Sequence, residues 1–104
     1  MLTIKTINSP SKGTIGIILR KINDEDIKSR LKVGEFNSLG LIQGHLAEII
    51  VAGDIAEKSS NVEVAEISGV CPQHITMIGI FGDTAEVSEA LKAVEKWVKV
   101  NTNL

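Results

Sequence analysis

Residues 38–83 read SLGLIQGHLAEIIVAGDIAEKSSNVEVAEISGVCPQHITMIGIFGD, and this stretch decides the fold. Leu39 to Gln43 has the β-branched and apolar character of a strand, entered through Asn37-Ser38. A helix from about His45 to Ser60 follows. Leu46, Ile49, Ile50, Gly53 and Ala56 fall at the i, i+3, i+4, i+7 spacing of one packed face. Ala47, Ala52, Gly53 and Ala56 are small for so many helix positions, and an interior glycine costs about 1 kcal/mol against alanine. Close approach of a sheet or a second helix would account for them. Val62 to Ile67 and Ile75 to Phe81 read as two further strands, joined by Ser68, Gly69, Val70, Cys71, Pro72, Gln73 and His74.

Working outward, Asp83 is placed to cap a last helix, with Glu86 as its capping-box partner three residues on. Val87, Leu91, Val94 and Val98 form that helix's buried stripe, and Asn101 to Leu104 read as a frayed tail. On the other side, Leu2 to Ile7 alternates as a short strand, ended by Asn8-Ser9-Pro10-Ser11 and Gly13. Thr14 to Ile22, TIGIILRKI, reads as a mostly buried strand. Asn23 is the expected N-cap of a short helix whose acids Asp24, Glu25 and Asp26 suit the positive end of the helix dipole. Ile27 and Leu31 face its core, and Gly34 ends it. The order is that of an α+β sandwich, with helices covering one face of a mostly antiparallel sheet.

Composition bounds the function. At 104 residues the chain has material for one domain, with residues 1–12 as its N-terminal strand and extension. A net charge of -2 with scattered basic residues gives no nucleic-acid footprint. No apolar run approaches a membrane span and no leader pattern opens the chain, so a soluble cytoplasmic protein is expected. The single cysteine, Cys71, excludes an intrachain disulfide. Aromatic residues are confined to Phe36, Phe81 and Trp97, which leaves the core to Ile, Val, Leu and Ala.

Chemistry-bearing side chains are sparse. Cys71 and His74 are three apart, with His45 elsewhere, but no second CxxC or acidic partner completes a catalytic or metal pattern. A connecting loop facing a subunit junction is the plainer reading. A metal or cluster site assembled around a symmetry axis, one Cys71 per subunit, remains the alternative. The glycines at 40, 44, 53, 69, 79 and 82 lack a phosphate-binding spacing. Neither an enzyme nor a cofactor is expected. A small regulatory, ligand-binding α+β module stands as the second reading of the fold.

The joint order of these motifs resembles the bacterial microcompartment shell domain (BMC domain). Ser38-Leu39-Gly40-Leu41-Ile42, the small-residue helix ending Ala52-Gly53-Asp54-Ile55-Ala56-Glu57-Lys58-Ser59-Ser60, and the strand Ile75 to Phe81 before Gly82-Asp83 carry the likeness. Usual members continue with a further strand and helix. Here the matching unit is expected at the N-terminus, in Ile17-Ile18-Leu19-Arg20-Lys21 and Asn23 to Asp26. That is similar to the circularly permuted hexameric shell proteins of ethanolamine, propanediol and choline utilisation.

The resemblance implies a ferredoxin-like fold and a structural role: cyclic hexamers that tile a shell and gate small molecules. Its partners would be copies of itself, other shell proteins and encapsulated enzymes, without nucleic acid or membrane. Lys58 and Arg20 take the places of hexamer-edge residues, and Ser68 to His74 the place of the pore loop. Val70-Cys71-Pro72-Gln73-His74 is bulkier than the family's usual glycine- and serine-rich pore sequence. The resemblance also offers a small barrel over the axis for residues 2–7; a disordered or edge-paired segment is the alternative.

Overall fold

The computed structural model of the chain describes residues 2–69 and 75–102, without the side chains of 75 and 102. Its elements run β1 (Thr3–Asn8), α1 (Lys12–Leu19), α2 (Glu25–Lys32), β2 (Ser38–His45), α3 (Leu46–Ser59), β3 (Glu63–Ile67), β4 (Ile75–Gly82) and α4 (Thr84–Thr102). The four strands form one sheet in the order β1-β2-β4-β3, and every pairing is antiparallel. Ile4, Ile42 and Ile78 stand in one cross-strand row; Ile7, Leu39, Phe81 and Glu63 stand in another. Because side chains alternate across a strand, these rows face opposite sides of the sheet.

Helices cover both faces, where the sequence led us to expect one. On one side α3 and α4 pack Ile49, Ala52, Ala56, Val87, Leu91 and Val94 against Ile42, Ile78 and Ile80. On the other, α1 and α2 bring Ile18, Ile22, Ile27 and Leu31 onto Leu39, Ala65, Ile67 and Phe81. Val87, Leu91 and Val94 of the α4 stripe and the Ile27–Leu31 face are buried as expected, with Val98 half-buried.

The expected strand over residues 14–22 is helix α1. Ser11 caps it: its Oγ accepts from the Thr14 N–H at 3.2 Å, and its carbonyl accepts from the Ile15 N–H at 2.9 Å. Ile15, Ile18, Leu19 and Ile22 all join the second cluster, a helical i, i+3, i+4, i+7 spacing within a β-branched run. Only Ile22 keeps strand character, in an isolated bridge to Ile67. The strand that borders β2 is instead β1, paired residue for residue from Thr3–Gln43 to Asn8–Ser38. Residues 3–7 therefore belong to the sheet edge, not to a separate barrel.

Helix ends depart from expectation in three places. Asp24, not Asn23, caps α2, its Oδ1 accepting from the Ile27 N–H at 3.0 Å. Glu86 turns away from a capping box and accepts from the Asn61 N–H at 2.6 Å, which ties α4 to the start of β3. Gly34 ends α2 at φ 80, where the lack of a Cβ removes the steric cost. The helix α4 runs on through Thr102, beyond the expected fraying point at Asn101.

Candidate functional site

The α3 helix sets the surface that matters. Ala52, Gly53 and Ala56 are buried and let its backbone approach the sheet; a Cβ on Gly53 would lie 3.4 Å from both Ile78 Cδ1 and Val64 Cγ1. The same rotation turns two residues of the expected packed face outward. Leu46 is 56% and Ile50 64% exposed, alongside Val51 at 40%. Between α3 and strands β3 and β4 runs a groove of about 450 Å³. Leu46 and Ile50 wall it, Val64 and Ile78 floor it, and Asp54, Glu57 and Glu66 lie along it. An exposed apolar wall with a charged margin is the composition of a buried contact rather than of a solvated helix face.

Lys58 lies in the last turn of α3, with its Nζ 2.8 Å from Asp54 Oδ2 one turn back. The hydrogen bond to Asp54, and then its charge, raise the lysine pKa above its ordinary value, so the ammonium is complete at neutral pH. Asp54, read from sequence as a boundary residue, is exposed and spends itself on this pair.

Arg20 is the C-cap of α1, and the next residue, Lys21, accepts the Ser68 N–H on its carbonyl at 2.8 Å. Asn23 Nδ2 donates to Ser68 Oγ at 3.4 Å. Arg20 therefore adjoins the Ser68–Gly69 end of β3, whereas Lys58 leads into its Asn61 end. The five residues of β3 separate those ends by about 13 Å at about 3.3 Å per residue. The two residues assigned together to one edge stand at opposite ends of the sheet. Of the candidate pore loop, Ser68 and Gly69 are described; Val70, Cys71, Pro72, Gln73 and His74 lie outside the described residues.

His45, the other imidazole candidate, is the N-cap of α3 without a side-chain cap bond, and its Nδ1 is 3.5 Å from Glu48 Oε1. Among the described residues no group of three or more His, Cys, Asp or Glu could hold a metal ion. Among them, too, no helix is long and apolar enough to cross a membrane.

One cluster escaped the sequence reading. Arg30 Nε meets Glu35 Oε2 at 2.6 Å, and its Nη1 meets Glu63 at 3.3 Å and Asp26 at 3.4 Å. Its guanidinium lies 5.0 Å over the Phe36 ring, which in turn packs on Phe81 at 5.6 Å between centroids. The Glu35 hydrogen bond above all raises the Arg30 pKa further. The cluster fastens α2 to β3. Only the Asp26–Arg30 spacing, one helical turn, was visible in sequence.

With this geometry in place, the comparisons with known proteins decide the family. The sequence model of the BMC domain matches residues 38–104, from β2 to the end of the chain. The chain belongs to the BMC domain family. Comparison with curated proteins gave no match. Among solved structures, the chain is similar to the GrpU microcompartment shell protein from Pectobacterium wasabiae. Identity is 32% over 89% of this chain and 99% of that one, with a TM-score of 0.69. The GrpU shell protein from Clostridiales bacterium 1_7_47FAA matches at 32% identity over 89% of this chain and 87% of its own, TM-score 0.64. The trimeric shell protein PduB shares the fold at 21% identity, over 91% of this chain and 38% of its own, TM-score 0.55.

Proposed function

We propose that this chain is a self-assembling structural subunit of a bacterial microcompartment shell, and not an enzyme. The observation that carries this reading is the likeness to GrpU shell proteins, at 32% identity over nearly their whole length. The exposed Leu46 and Ile50 support it from the physical side, since a domain this small gains stability by covering such side chains with copies of itself. The assembled unit is a cyclic homohexamer, and its further partners are other shell proteins.

The arrangement is circularly permuted. The family match begins at β2, yet β1 lies beside β2 and completes the sheet from the N-terminal side. The displaced strand is Thr3–Asn8 rather than the segment around Ile17–Lys21. The Ser68–Gly69 end of β3 faces the axis, and Lys58 lies at the outer edge, at the far end of β3. With Lys21 and Asn23 bonded to Ser68, Arg20 belongs to the axial end and not to the tile edge.

Electron microscopy of Lys58→Ala and Arg20→Ala proteins tests this layout. Lys58→Ala should disperse extended sheets into intact hexamers, while Arg20→Ala keeps its sheets. Sheets unaffected by Lys58→Ala, or dispersed by Arg20→Ala alone, would reverse the two assignments.

A further inference from the structure

We draw no further inference here: the strongest candidate outside the α3 groove already described, the surface groove of about 520 Å³ beside α4 that runs from Ser59 past Ser88 to Lys92 and Lys96, is lined by small residues and exposed lysines, and nothing in the structure shows what covers it.

Discussion

Helices α3 and α4 lie side by side on the same face of the sheet and use their apolar residues in opposite ways. In α4 the large residues Val87, Leu91 and Val94 point inward and are almost fully covered. In α3 the inward positions are filled by Ala52, Gly53 and Ala56 with a single large residue, Ile49, while Leu46 and Ile50 face out. The helix ends differ in the same sense. The start of α4 is held by a knot on the buried Ser38, whose Oγ donates to Asn8 Oδ1 at 3.1 Å and shares a 2.7 Å bond with Thr84 Oγ1. Asn37 Nδ2 adds a bond to Asp83 Oδ1 at 3.2 Å. The N-cap of α3 is His45, which makes no side-chain cap bond. One helix is finished within the protomer; the other keeps an exposed apolar face, which the proposed assembly would cover. Large apolar side chains on a helix mark packing in both cases, but only the small residues opposite them tell which packing is internal.

The largest effect should separate the two stripes. Leu91→Ala removes a side chain that covers Gly40 and should lower the unfolding free energy by about 2–5 kcal/mol. Ile50→Ala, at an exposed position, should change it by no more than about 0.5 kcal/mol while weakening assembly. Urea unfolding of both variants at concentrations below assembly measures the difference. Similar losses from the two would erase the contrast.

A middle effect concerns the knot. Ser38→Ala removes the buried hydroxyl that Asn8 and Thr84 share and, because those two are exposed and can turn to water, should cost about 0.5–1.5 kcal/mol. Amide exchange should then quicken in β1 and the first turn of α4 and stay unchanged in α3. Uniform quickening would mean that the knot does not act locally.

The smallest effect should sharpen the comparison from the α3 side. His45→Asp supplies the side-chain acceptor that the helix start lacks and should stabilise the protomer by about 1 kcal/mol, read as a raised melting temperature. A lowered melting temperature would show that His45 already does more than the cap geometry accounts for.

The contrast also explains what the sequence disclosed. Strands β2, β3 and β4 and helix α4 were legible to within a few residues, because alternation and the Val87–Leu91–Val94 stripe leave one periodic reading. The segment 14–22 was not, because TIGIIL is a short apolar run rich in β-branched residues, and such a run satisfies strand and helix patterns alike. The deciding signals were Ser11 as a cap and the spacing of Ile15, Ile18, Leu19 and Ile22. For the site, Lys58 was singled out only through the resemblance, since by itself it reads as an ordinary lysine in the last turn of α3. The exposure of Leu46 and Ile50 was not, since periodicity finds a stripe's width and not its rotation. The meeting of Lys21 with Ser68 and the Arg30–Glu63 contact join residues far apart in sequence, and no local pattern encodes them.

The proposed assembly requires that α3 be covered by another copy of this chain. Native mass spectrometry of the wild-type protein at micromolar concentration tests it most directly. A closed ring of six chains, with Ile50→Glu yielding folded single chains under the same conditions, is the predicted result. A wild-type protein that remains a single folded chain would contradict it.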